Sequence, residues 1–154
     1  MVQEKKSAWK TQWRRDLLNG FIAWAIAFVL YVIPAFVVAF RMAFDLGPKL
    51  KDSAQVSALI GPAISGMYRT NPYLFPAYIA ILAVLIFWRS RVVCRTAADG
   101  FLAHGAVVAA IPVAIGLLQF VAWKGAPGAL IAMFVFLAAG MAGAFKSAGS
   151  SPAP

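Results

Sequence analysis

The chain has 154 residues, a formal net charge of +9, 62% hydrophobic residues and only 12% charged ones. Soluble domains carry about 25% charged and about 45–50% apolar residues, so this composition excludes a water-soluble globular fold, and intrinsic disorder requires the opposite bias. The single cysteine, Cys94, excludes an internal disulfide, a cysteine-pair metal site and a two-cysteine redox motif.

A basic segment at residues 1–16 opens the chain. We expect residues 7–18 to form a short helix on the membrane surface, with tryptophans at headgroup level and cations toward anionic lipid. The predicted surface anchors are Trp9, Trp13, Arg14 and Arg15. The alternative is that this segment is a docking surface for a cytoplasmic partner.

Charged residues fall in clusters, and four uncharged runs between them predict membrane spans. These runs, at 17–40, 70–88, 100–123 and 125–145, contain long tracts of Leu, Ile, Val, Phe and Ala. A membrane-spanning helix needs about 20 mostly apolar residues, within a range of about 17–25. The sequence therefore predicts an all-α membrane protein, with four transmembrane helices in a small bundle that forms one membrane domain at 17–146.

A fifth uncharged run, at 53–68, is shorter and weakly apolar. On a helix its larger apolar residues share one face, its small and polar residues share the other, and Pro62 interrupts the hydrogen bonding in the middle. This pattern predicts a short amphipathic helix at 53–67, between spans one and two, which lies at the membrane interface or is re-entrant. A fifth full span is the less favoured alternative.

The third span carries a stripe of small residues. It consists of Gly105, Ala109, Pro112, Gly116 and Gln119, spaced by 4, 3, 4 and 3 residues. This spacing places them on one helical face. Membrane helices associate through close packing of small residues and interhelical hydrogen bonds, so we expect the stripe to pack against the fourth span, where Ala139 and Gly143 share a face. The alternative is that one of these faces recruits another subunit.

Ionisable groups offer little chemistry in this sequence. All five acids are expected to lie outside the spans, which leaves no buried charge to couple transport to protons or sodium. They are Glu4, Asp16, Asp45, Asp52 and Asp99. His104, the only histidine, lies near the start of the third span and is the one candidate for a polar functional residue. We interpret His104 as an interfacial hydrogen-bonding group, and a role in a proton relay is the alternative. We interpret Cys94 as a thiol without a specific role.

No phosphate-binding loop, zinc motif or nucleophile elbow occurs, so the sequence predicts no catalytic residue, metal or cofactor. With both termini in the cytoplasm, nine Lys and Arg residues lie inside and five outside, which the positive-inside rule favours. The basic residues lie scattered at the span ends, a distribution that does not indicate nucleic-acid binding. The tail, 147–154, is rich in Ser, Gly, Pro and Ala and is expected to be disordered.

These features predict a non-catalytic integral protein of the bacterial inner (plasma) membrane. The expected role is an accessory or scaffold subunit of a larger complex, of the secretion, conjugation or respiratory type. Its expected partners are the anionic inner leaflet and other membrane subunits or further copies of itself. The alternative is an oligomeric pore, holin-like or a permease component, which the prolines within spans one and three favour (Pro34 and Pro112).

Overall fold

The structure is a computed structural model that describes residues 2–46, 53–95, 100–122 and 127–148. Side chains are described for the same residues except 2–11, 53, 57 and 148. All regular secondary structure in these residues is α-helical. The helices are α1 (Val2–Leu46), α2 (Ser53–Thr70), α3 (Leu74–Cys94), α4 (Phe101–Ala122) and α5 (Pro127–Ala148).

Four helices in the described part of the chain are long and apolar enough to cross a membrane. The candidate spans are Gln12–Leu46, Leu74–Cys94, Phe101–Ala122 and Pro127–Ser147. For the described residues, the prediction of an all-helical protein with four helices long and apolar enough to cross a membrane is therefore confirmed, and these helices indicate an integral membrane protein. The helix α2 lies where the amphipathic segment is predicted, while its position at the interface stays a prediction.

The first helix differs from expectation at its start. Instead of a short surface helix followed by a span, α1 runs without a break over 45 residues, about 68 Å at about 1.5 Å per residue. No proline occurs before Pro34, and the single glycine in this stretch, Gly20, is buried against another helix. Nothing in the local sequence therefore ends the helix between the basic segment and the span.

The helices form two compact units. Unit 1 consists of Met1–Ala27 and Ile79–Pro154, and unit 2 consists of Phe28–Tyr78. The boundary lies within α1 and again within α3, so each of these helices contributes to both units.

Unit 1 is held by backbone-to-backbone packing at glycines. A β-carbon added to Gly105 of α4 would lie 2.5 Å from the carbonyl oxygen of Gly140 in α5, and the reverse substitution is equally crowded. Gly20 of α1 lies in the same way against the backbone of Val108 in α4. Close backbone contacts at small residues are a usual basis of helix association in membranes, because the hydrophobic effect does not favour contact between helices that are already surrounded by lipid.

The predicted small-residue stripe of α4 faces its neighbours as expected, with one difference on α5. Four of its residues are buried and Gln119 is half-buried. On α5, Ala139 is half-buried, whereas Gly143 is buried against the backbone of Phe87 in α3 and not against α4. The residues of α5 next to the glycines of α4 are Gly140, Ala144, Met133 and Ala129. The expected face is therefore rotated by one residue toward Gly140.

Unit 2 is held by aromatic side chains. The ring of Tyr31 in α1 lies 5.1 Å from that of Tyr68 in α2 and 5.0 Å from that of Tyr78 in α3, measured between centroids. The hydroxyl of Tyr68 donates a hydrogen bond of 3.0 Å to the backbone carbonyl of Tyr31. Burial raises the pKa of the Tyr68 phenol above its ordinary value.

Candidate functional site

A carboxyl group and an imidazole meet inside unit 1. Asp16 of α1 and His104 of α4 are both fully buried, and Nδ1 of His104 is hydrogen-bonded to Oδ2 of Asp16. Asp16 also lies within the candidate span that begins at Gln12. The expectation that every acid lies outside the spans is therefore wrong for Asp16, and the hydrogen bond expected of His104 is made to this carboxyl.

The signal that the sequence analysis missed is a second small-residue stripe. Asp16, Gly20, Ala23 and Ala27 follow at intervals of 4, 3 and 4, and all four are buried. This is the spacing used to interpret α4, here with a carboxylate at its end. Local charge groups Asp16 with the basic segment, because it directly follows Arg14 and Arg15. Helical periodicity assigns it instead to the packed face of α1.

The pair fixes the orientation of the imidazole. With Asp16 ionised, Nδ1–H of His104 donates to the carboxylate, which only accepts. The second oxygen, Oδ1, has no hydrogen-bond partner among the described residues, and Nε of Arg15 lies 3.8 Å from it. A buried carboxyl depends strongly on such partners, because its desolvation costs several kcal/mol. This pair can therefore join α1 to α4 and hold a proton between two helices.

Contacts between neighbouring helices form a closed ring at this end of unit 1. Asp16 and His104 join α1 to α4, and the glycine contact at Gly105 joins α4 to α5. The hydroxyl of Ser147 in α5 donates to the carbonyl of Arg91 in α3, at 3.2 Å.

The last contact of the ring joins α3 back to α1. Nη1 of Arg89 donates to Oδ1 of Asn19, at 3.4 Å. We call this region the polar end. It comprises Asp16, Asn19, Arg89, Ser90, Arg91, Cys94, His104 and Ser147.

Two small polar side chains of α3 are buried at the polar end. Ser90 and Cys94 are one turn apart, and each is at most 1% exposed. The Cys94 thiol donates a 3.5 Å hydrogen bond to the carbonyl of Phe101. The oxygen of Ser90 has no hydrogen-bond partner in the described part of the chain. The Cys94 thiol therefore lies inside the helix packing, and its interpretation as a thiol without a specific role stays a prediction.

Cations dominate the charge of unit 1. Its described side chains include one carboxylate, Asp16, and six cations, which all lie toward the polar end. The cations are Arg14, Arg15, Arg89, Arg91, Arg95 and Lys146. The ring of contacts places residues 14–19 of α1, the end of α3 and the end of α5 together at the polar end.

The predicted anchors of α1 lie outside the packed face. Trp13 and Arg14 are exposed, and Arg15 is exposed beside Asp16. The side chain of Trp9 lies outside the described residues.

The polar end holds a histidine, a carboxyl group and a thiol, but these do not form a metal centre. Among the described residues, no group of three or more His, Cys, Asp or Glu side chains is placed to hold a metal ion. Comparisons with protein families, with curated proteins and with solved structures found no match to this chain.

Proposed function

We propose that this chain is a non-catalytic accessory subunit of a larger membrane assembly, in the bacterial inner membrane with both termini in the cytoplasm. The observation that supports this most directly is the uneven burial of the four spans. Only 11% of the most apolar stretch of α1 is buried within the chain, against 28–33% for α3, α4 and α5. The first span is therefore the one with the most surface left for a partner helix.

The large side chains of α1 lie on that uncovered surface. Phe36, Phe40 and Phe44 follow at intervals of four residues and are 73%, 68% and 74% exposed. They share one helical face, which we call the phenylalanine face. Aromatic residues provide large contact areas where membrane helices pack, and they do so without needing a polar partner.

The small-residue faces of unit 1 are already used within the chain. Gly20, Gly105, Gly140 and Gly143 each contact the backbone of a neighbouring helix. This argues against the alternative that a small-residue face recruits another subunit. A partner is more readily received by the phenylalanine face of α1 than by the packed glycines.

The remaining elements orient the subunit. The exposed Trp13 and Arg14 are suited to the headgroup level of an anionic inner leaflet, as predicted for surface anchors. On the opposite side of the membrane in this proposal, α2 lies at the outer interface, attached through Tyr68 to α1. The subunit thus presents a basic cytoplasmic end, an interfacial helix and one apolar helix face.

Site-specific photo-cross-linking in native membranes tests the proposal. A photoreactive residue at Phe40 is expected to cross-link another polypeptide, and one at Phe134 of α5, which is 72% exposed, serves as the matched control. Cross-links at Phe40 but not at Phe134 support a defined partner face. If positions 36, 40 and 44 all yield only lipid adducts and the uncross-linked monomer, the proposal is wrong.

Flux measurements distinguish the proposal from the pore alternative. The purified chain in liposomes is expected to leave ions and small dyes entrapped. If the protein alone releases an entrapped dye, the accessory-subunit proposal is wrong and the pore alternative is supported.

A further inference from the structure

We propose that the surface where α1 and α3 meet at the polar end binds the phosphodiester group of an anionic phospholipid. Arg89 and Arg15 supply the positive charge, Asn19 lies between them, and Trp88 marks the depth of the headgroup. The inference deepens the proposed function by naming the chemical class of the ligand at its basic cytoplasmic end.

Asn19 contacts the guanidinium of Arg89 and the backbone of Arg15. Its Oδ1 accepts from Nη1 of Arg89 in α3, while its Nδ2 donates to the backbone carbonyl of Arg15, at 2.8 Å. Arg15 precedes Asn19 by one helical turn, so its side chain leaves α1 on the same side. Two cations from different helices thus flank one neutral amide.

Arg89 has no ion-pair partner within the described residues, whereas Nε of Arg15 lies 3.8 Å from Oδ1 of Asp16. No described carboxylate lies within ion-pair distance of Arg89, whose five N–H donors meet one acceptor at the long distance of 3.4 Å. The carboxylate near Arg15 belongs to Asp16, which is already hydrogen-bonded to His104. Cations at the end of a membrane bundle, with weak screening, favour an external anion. Phosphate suits guanidinium groups best, because it accepts two parallel hydrogen bonds.

The surface beside Arg89 is apolar, which favours a lipid as the source of the phosphate. The guanidinium carbon of Arg89 lies 5.2 Å from the ring centroid of Trp88. Val84, Trp88 and Val92 are exposed at intervals of four residues and form a stripe along α3. An acyl chain can lie along Val84 and Trp88 while its phosphate contacts Arg89. Tryptophan at this depth is typical of the boundary between hydrocarbon and headgroups.

Native mass spectrometry of the purified full chain tests this inference. The protein is equilibrated with phosphatidylglycerol and phosphatidylcholine of identical acyl chains, and the retained lipid is counted. The wild type is expected to retain one phosphatidylglycerol in preference to phosphatidylcholine. Arg89→Gln is expected to weaken this retention about tenfold, because a charge-assisted hydrogen bond is lost.

The matched control is Arg95→Gln, which removes the same charge from an exposed position at the same end. It is expected to change retention less than about twofold, since surface charges contribute little individually. Arg89→Lys is expected to bind with intermediate strength, because it keeps the charge and loses the bidentate geometry. Arg15→Gln provides a second site variant at a more exposed position, should Arg89→Gln fail to fold.

Three results would overturn the inference. These are equal retention of the two lipids by the wild type, equal losses in Arg89→Gln and Arg95→Gln, and displacement of phosphatidylglycerol by millimolar inorganic phosphate. The last would assign the arginines to a soluble phosphate. The lipid experiment uses the isolated chain, so its failure would not contradict a partner at the phenylalanine face of α1. Likewise, a failed cross-linking experiment would not contradict the lipid site.

Discussion

The same helix, α1, packs in two different ways in the two units. In unit 1 its buried residues are Asp16, Gly20, Ala23 and Ala27, and the backbone of α4 comes into direct contact. In unit 2 it carries Tyr31 and phenylalanines, and its contacts are made by rings about 5 Å apart. Side-chain size thus sets how closely helices approach when burial of apolar surface gives no reward. Unit 1 depends on close backbone packing and one buried hydrogen bond between Asp16 and His104, and unit 2 depends on aromatic rings and one hydroxyl.

The largest effect is expected at the buried pair of unit 1. His104→Leu leaves the Asp16 carboxyl buried without its imidazole, and we expect a loss of about 3–5 kcal/mol in the free energy of unfolding. Denaturation in mixed micelles, followed by circular dichroism, measures this. The double variant Asp16→Leu/His104→Leu is expected to lose less than the sum of the two single variants. Additive losses would mean that the two groups do not act as a pair.

The next effect is expected at the glycine contacts. Gly105→Ala places a β-carbon 2.5 Å from the carbonyl oxygen of Gly140, so α4 and α5 must separate, at a cost of about 1–3 kcal/mol. The matched control in unit 2 is Gly66→Ala, whose β-carbon meets nothing within 4 Å and improves helix propensity. Thermal unfolding in detergent compares them. Equal destabilisation by both variants would contradict the difference between the units.

The smallest effect is expected at the hydroxyl of unit 2. Tyr68→Phe keeps the ring stack and removes the donor to the Tyr31 carbonyl, which should loosen α2 by about 0.5–1.5 kcal/mol. Hydrogen exchange over residues 53–70 measures this, with Tyr73→Phe, an exposed position, as control. Unchanged exchange in Tyr68→Phe would show that the rings alone hold α2.

The same hydroxyl predicts a dependence on pH. Because the pKa of Tyr68 is raised in the folded chain, its contribution is fully present below the ordinary tyrosine value of 10.0 and is lost as the pH rises through the raised value. Exchange over α2 should therefore accelerate above pH 10 in the wild type beyond the intrinsic rise, and Tyr68→Phe should lack this additional step.

The four spans were predictable because length and charge alone determine which segments suit a bilayer. The boundaries of the spans were less predictable. The run at 17–40 excludes Asp16 on the ground of its charge, yet the helix continues through it and buries the carboxyl against His104. A partner 88 positions away in sequence is not visible to a local window.

The faces of the helices were predictable, and their neighbours were not. Periodicity places Gly105 and Ala109 on one side of α4, as found. Periodicity also places Gly143 on the same face as Ala139. In the structure, however, Gly143 contacts Phe87 of α3, and Gly140 contacts α4. Successive residues differ by about 100° around a helix. Because α5 contacts both α3 and α4, residues that the sequence places on one face of α5 contact different neighbouring helices.

The sequence separation of the buried pair has a consequence for biosynthesis. Asp16 and His104 are 88 residues apart, an interval of about 4–18 s at a translation rate of about 5–20 residues per second. Throughout that time the carboxyl of the first-made span has no imidazole to meet. Its contact with the imidazole can therefore form only after α4 has been made. Closure of the bundle between α1 and α4 at this end thus belongs to the later steps of assembly.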